Sequence, residues 1–354
     1  LGLSMLAYHN TRIFVPLLAV GMLVISAKSK IKWGWLVIVG VAAAIVLVPT
    51  SRSRSGWVGI LNQGAIAYLE QSRNQSTLSG ALTKLIYNRP VYFITQSALH
   101  YLDYFAPKYL FWSGGTQYQF SLPKNGVLYL VDLPFFYLGL IISLANSPFL
   151  LFWLLVSPIP AAITADRYAV IRATTMIPAV YLITASGITW VVSKIGGVKS
   201  RVVIGILVVI YFLSLGRYLT NYLYKYPDEY SSSWQYGYKQ VIDYVKARYD
   251  SFDQIIITKK YGESHEFILW YWPWSPRKYL SQNVVWDYHD NWYWINGFDK
   301  FVFVNDWELS DYINKLDTSR KYLIVSSPDN LVEKTKLTTV NFLDGKPAFI
   351  ISSY

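Results

Sequence analysis

Four short stretches gather residue types that do chemistry. The first is Tyr8-His9-Asn10-Thr11-Arg12, at the edge of an apolar run. An arginine fork there suits bidentate contact with a phosphate. Ionisable groups at a membrane edge are often functional, although the same arginine can snorkel to lipid headgroups. The second is Ser51-Arg52-Ser53-Arg54, directly after another apolar run. Its two cations can hold an anionic lipid phosphate or simply face headgroups. The third runs from His100 to Gly115 as HYLDYFAPKYLFWSGG. It sets His100, Asp103 and Lys108 among Tyr101, Tyr104, Phe105, Tyr109, Phe111 and Trp112. Aromatic faces with a few polar groups fit a sugar or a prenyl chain. Asp103 is a candidate general base there, beside the plainer role of a hydrogen-bonded structural carboxylate. The Gly114-Gly115 pair calls for a tight turn where backbone approaches something closely. The fourth is Asp166-Arg167 with Arg172, for which a local ion pair is the plain alternative.

Other chemistries leave no trace. The sequence has no Walker loop, dinucleotide GxGxxG, nucleophile elbow or HExxH. His9, His100, His265 and His289 are scattered without metal-ligand spacing, and cysteine is absent. His265 and Glu266 fall on a predicted helix, where a solvated face is the default. No cofactor is expected, and a divalent metal is left open.

The elements around these residues follow from composition. Of 354 residues 53% are hydrophobic and 15% charged, with a net charge of +11; soluble domains run near 25% charged. The charge is uneven. Residues 219–354 carry 15 Lys and Arg against 17 Asp and Glu, a net of −2, which leaves +13 on residues 1–218. A basic apolar half suits anionic lipid or phosphate rather than nucleic acid. Runs at 13–27, 33–50, 126–147, 148–165, 173–193 and 202–218 hold at most one charge each. Their length approaches a bilayer crossing, and they lack the polar stripe of an ordinary buried helix. The expected architecture is therefore an α-helical polytopic membrane domain over 1–218, with about six transmembrane helices. The chain opens at Leu1 inside an apolar run, and we expect its N-terminal part to be missing.

Short basic loops at Lys28–Lys32 and Lys194–Arg201 are placed on the cytoplasmic side by the positive-inside rule. Alternation then puts a long loop, 51–125, outside. Within it, 68–72 and 78–87 read as short helices, and 90–104 as an amphipathic aromatic helix that lies in the interface or packs on the membrane domain. Residues 219–354 read as a small soluble, extracytoplasmic α/β domain. Its expected strands are QIIIT (254–258), KFVFV (300–304) and YLIVS (322–326), with helices at 234–249, 263–272 and 308–316. The expected location is the plasma membrane, multi-pass, with the C-terminal domain extracytoplasmic.

Several stretches, taken in order, resemble bacterial members of the C-type (GT-C) glycosyltransferase superfamily, relatives of dolichyl-phosphate-mannose protein mannosyltransferases. They are GLSMLAYHNTRIFVPL, YLDYFAPKYLFWSGG, SLPKNGVLYLVDLPFFYLGL and SPIPAAITADRYAVIRATTMIPAVYLITASG, then WQYGYKQVIDYV, IIITKKYGESHEFILWYW and SPRKYL. DRYAVIR departs from the pattern, which has a histidine close to the arginine. The resemblance implies transfer of a mannose-like hexose from a polyprenyl-phosphate donor to a protein, lipid or glycan acceptor at the outer membrane face, with inversion. It also implies a catalytic carboxylate in a loop before Leu1. Arg12, Arg54 and Lys108 are then the expected donor-phosphate contacts. Tyr8, His9, His100, Tyr101 and Trp112 are the expected substrate contacts. The expected partners are the lipid-linked sugar, the acceptor and membrane lipid, with no nucleic acid.

Two other functions compete. A secondary transporter or flippase of lipid-linked sugars would place polar groups mid-span, often at broken helices; here they gather in the loops. A membrane-tethered sugar-binding or envelope-assembly protein would make the aromatic tail the working part.

Overall fold

The computed structural model describes residues 8, 10–25, 59–289, 292–330 and 335–354. The chain divides into two compact units, Leu1–Leu219 and Thr220–Tyr354.

The first unit is helical. Its main elements are α1 (Thr11–Ile25), α2 (Gln63–Gln75), α3 (Arg89–Asp103), α4 (Leu133–Asn146), α5 (Pro148–Val156), α6 (Ile177–Ile195) and α7 (Gly197–Thr220). Asn62 caps α2 by accepting from the Ala65 N–H at 2.9 Å, and Asn88 caps α3 by accepting from Val91 at 2.9 Å. These caps satisfy donors that a helix start leaves unpaired. A core of Tyr104, Leu110, Phe136, Leu154, Val180 and Ile183 joins α3, α4, α5 and α6.

The pairing of α4 with α6 depends on two glycines. A Cβ at Gly139 would lie 1.9 Å from the Ile183 carbonyl oxygen, and one at Gly187 would lie 2.0 Å from that of Phe135. Small residues thus let the two backbones approach, as between helices in membranes.

The expected polytopic helical domain is corrected. Among the described residues two helical stretches, not about six, are long and apolar enough to cross a membrane: Val170–Ile195 and Gly197–Glu229. Thr11–Met22, Leu130–Asn146 and Pro148–Ala162 are apolar but shorter. The sequence counted uncharged runs, whereas the chain breaks them. Helix α4 has 14 residues, ends at Asn146, and is followed by Pro148, which starts α5. At 1.5 Å per residue such a helix covers about 21 Å, against about 30 Å of hydrocarbon. The next run turns at Ser157-Pro158 before the short helix Ile159–Ala162. The run at 33–50 lies outside the described residues.

The second unit is built on a seven-stranded mixed sheet, larger than the three strands expected. Helix α8 (Tyr238–Lys246) precedes β1 (Gln254–Thr258), and α9 (Ser264–Tyr271) follows it. Next come β2 (Val285–His289), β3 (Trp292–Phe298), β4 (Phe301–Val304), α10 (Leu309–Ile313), β5 (Tyr322–Ser326), β6 (Thr335–Asn341) and β7 (Pro347–Ser353). The strand order is β2-β3-β4-β1-β5-β7-β6, with β4, β1 and β5 parallel and the other pairs antiparallel. The central strand carries three consecutive isoleucines, Ile255–Ile257, because both its faces are covered. Ile255 and Ile257 pack with α8 and α9, and Ile256 packs with α10. Buried Asp306 ties the three parallel strands together at their C-terminal ends. It accepts from Thr258 Oγ1 at 2.6 Å, Ser327 Oγ at 2.8 Å and Asn330 Nδ2 at 2.6 Å.

Candidate functional site

The site lies in the helical unit, where the last turn of α3 meets the segment Thr164–Arg172. The end of α3 aims His100, Asp103 and Tyr104 at this segment, while Tyr101 turns towards α5. The His100 imidazole Nδ1 lies 3.0 Å from the Thr164 carbonyl, and the ring is buried. Tyr101 donates to the Leu155 carbonyl at 2.8 Å. The Tyr104 hydroxyl accepts from the Ala169 N–H at 3.0 Å. Tyr104 is fully buried, and burial pushes its pKa up to about 12. Asp103 accepts from Arg167 Nε at 2.8 Å and NH2 at 2.6 Å, and its other oxygen accepts from the Tyr168 hydroxyl at 3.1 Å.

A second ion pair stands beside the first. Arg172 NH1 lies 2.6 Å from Asp166 Oδ2 and donates to Thr164 Oγ1 at 3.2 Å. Gln117 Nε2 donates to the same Asp166 oxygen at 3.1 Å, and Thr116 Oγ1 to the Arg167 carbonyl at 2.8 Å. The two arginines differ in what they present. The Arg172 side chain is 17% exposed and turned inward, whereas that of Arg167 is 55% exposed. Asp103, itself 15% exposed, fixes one edge of the Arg167 fork and raises the guanidinium pKa through its hydrogen bonds. The remainder of the fork faces outward and can meet an anion.

The backbone around this cluster is constrained. Tyr168 has φ 55°, a left-handed conformation that bulky side chains rarely adopt. Its hydroxyl bond to Asp103, its stacking on Tyr109 at 5.8 Å and the Arg167 cation 5.6 Å from its ring hold it there. The Gly114-Gly115 pair serves the same contact. Gly114 has φ 61°, and a Cβ at Gly115 would lie 2.6 Å from the Tyr168 carbonyl oxygen.

The sequence-derived candidates are distributed as follows. Asp103 and His100 converge on this region, Tyr101 bonds to Leu155 of α5 instead, and each is engaged by the protein itself. Lys108 is exposed at the start of the π-turn Lys108–Ser113, and Trp112 on the same turn is half exposed. Asn10, from the first constellation, donates through Nδ2 to the Arg172 carbonyl and so brings the start of α1 to the same segment. Arg12 lies in the first turn of α1, and Tyr8 is exposed just before it. His9, Arg52 and Arg54 lie outside the described residues. The sequence did not single out Thr116, Gln117 or Thr164, which carry no motif of their own, nor Tyr168, whose only signal is its place inside DRYAVIR. Among the described residues no group of three or more His, Cys, Asp or Glu is placed to hold a metal ion.

No family model, curated protein or solved structure matches the chain. Its function therefore has to be read from the chemistry of the site.

Proposed function

We propose that this chain belongs to a membrane-bound glycosyltransferase. It would move a mannose-like hexose from a polyprenyl-phosphate donor to a protein, lipid or glycan acceptor at the outer face of the membrane. One observation carries the reading. Two stretches that motivate the family resemblance, YLDYF and DRYAVIR, meet in space and leave a half-exposed arginine held by a carboxylate. In such a transfer the leaving group is a lipid phosphate, and a fixed cation where its charge develops lowers the barrier. Arg167 takes that role. Asp103 is a positioning residue that aims it, and Arg172 with Asp166 braces the segment from within. Exposed Lys108 adds positive charge on the neighbouring turn, and Arg12 is a further contact from the start of α1. The two long apolar helices anchor the chain in the bilayer.

The test is binding of a polyprenyl-phosphate mannose to the full chain in nanodiscs, with free mannose as the control. Arg167→Ala should weaken binding by about ten- to a hundredfold, the scale of one charge-assisted contact. Lys108→Ala should weaken it by a few-fold. Binding indifferent to both changes would remove this cluster from the donor site. Movement of the intact lipid across the bilayer, with no sugar transferred, would favour the flippase alternative.

A further inference from the structure

The second unit carries an aromatic surface that its own fold does not use. Strand β3 pairs with β4 at two positions only, Gly297 with Val302 and Phe298 with Phe301. The rest of β3 pairs with β2, and β2 is the edge of the sheet. The β2–β3 hairpin therefore runs past the end of β4 as a two-stranded ribbon.

One face of the ribbon is aromatic. Trp286 and Tyr288 on β2 pair across to Ile295 and Tyr293 on β3, so these side chains share a face. Trp286 and Tyr293 stand 6.2 Å apart at 89°, and Tyr288 and Tyr293 stand 4.6 Å apart at 46°. Cross-strand packing helps to stabilise a ribbon, yet it leaves these rings largely in water. Trp286 is 56% exposed, Tyr288 58% and Tyr293 65%. They form a corrugated apolar surface edged with hydroxyl and indole N–H groups.

Charge selects among the possible occupants. On the ribbon's other face Asp287 accepts from Asn296 Nδ2 at 3.2 Å, and Lys259 donates to Asn296 Oδ1 at 2.7 Å. The charged neighbours of Lys259 are Glu308, Asp287 and Glu263. Three carboxylates against one ammonium disfavour an anionic headgroup or a polyphosphate. A neutral, hydroxyl-rich ligand has no such conflict. The C–H face of a pyranose meets the negative face of an aromatic ring, while the polar rims supply hydrogen bonds.

We infer that the β2–β3 ribbon is a binding platform for neutral glycan, with Trp286, Tyr288 and Tyr293 as its stacking surface. The platform deepens the acceptor side of the proposed reaction without requiring it, because binding is measured with no donor present. The full chain in neutral-lipid nanodiscs is titrated with a mannan pentasaccharide and a glucan pentasaccharide, following tryptophan fluorescence. One of them should bind, and Trp286→Ala combined with Tyr293→Ala should weaken it by about tenfold or more, the scale of lost aromatic contacts. Trp307→Ala, at a tryptophan 77% exposed elsewhere in the unit, should leave binding unchanged. Hydroxyl-radical footprinting of the unaltered protein removes any dependence on folding of the variant. The sugar should protect Trp286 and Tyr293 and leave Trp270 and Trp307 reactive. Failure of both pentasaccharides to bind would overturn the platform, as would protection elsewhere. So would protection of these rings by anionic vesicles instead. Loss of donor binding in the helical unit would not touch it.

Discussion

Tyr168 occupies a conformation that costs a bulky residue of the order of 1–2 kcal/mol, and three contacts of its ring and hydroxyl offset that cost. Removing the hydroxyl alone, in Tyr168→Phe, should lower stability by about 1 kcal/mol, the net contribution of one hydrogen bond, measured by thermal unfolding in detergent. His265 offers a pH test. Its side chain is largely covered, 12% exposed, and its pKa is lowered to about 4 by desolvation. Glu263, 3.4 Å away, offers a partner to an imidazolium but does not outweigh burial. A folded-state pKa below the unfolded value of about 6.5 favours the neutral ring. Its contribution is complete above pH 6.5 and is lost as pH falls from there towards 4. Protection factors in β1 and α9, corrected for the intrinsic pH dependence of amide exchange, should fall across that window, and His265→Asn should flatten the response. Residue chemistry was partly legible. Asp103, His100 and Tyr101 stand out in the sequence, but the partner of Asp103 lies 64 positions away, and no local pattern encodes that distance.

Among the elements, α4 and α6 are joined by backbone approach at Gly139 and Gly187. Alanine at either position forces a methyl into a carbonyl, so Gly139→Ala or Gly187→Ala should destabilise by about 1–3 kcal/mol or more. Gly205, in α7, has nothing within 4 Å of an added Cβ. Gly205→Ala should stabilise that helix by up to about 1 kcal/mol. Thermal unfolding of the three variants side by side checks both signs. The strands most visible in the sequence were β1, β4 and β5, because a parallel strand covered on both faces reads as an unbroken apolar run. The others were hidden for physical reasons. β6 reads TKLTTVN, largely exposed at the far edge, and the β2–β3 ribbon is so aromatic that it lacks a clear alternation. Apolar runs misled in the helical unit, where the helix of run 126–147 starts only at Leu133 and run 148–165 turns at Ser157-Pro158, leaving both helices short of a bilayer's thickness.

At the scale of the whole molecule, charge is segregated. Residues 1–218 carry +13 and the rest −2. Enrichment of anionic over neutral lipid around the bilayer-held chain should therefore arise from the helical unit and fall with added salt, since exposed charges are screened beyond about 10 Å at 0.1 M. Lipid analysis of the purified chain at two ionic strengths would show it. The composition makes this asymmetry plain, but it does not say where the cations face. The division of labour we propose places donor phosphate on the helical unit and glycan on the aromatic ribbon. Photo-crosslinking tests the first half most directly. A polyprenyl-phosphate mannose bearing a photoreactive group beside the phosphate is bound to the full chain, irradiated, and the labelled peptides are sequenced. Labelling within residues 101–117 and 164–172, reduced by Arg167→Ala, is the predicted result. Labelling confined to other segments, unchanged by Arg167→Ala, would contradict the account.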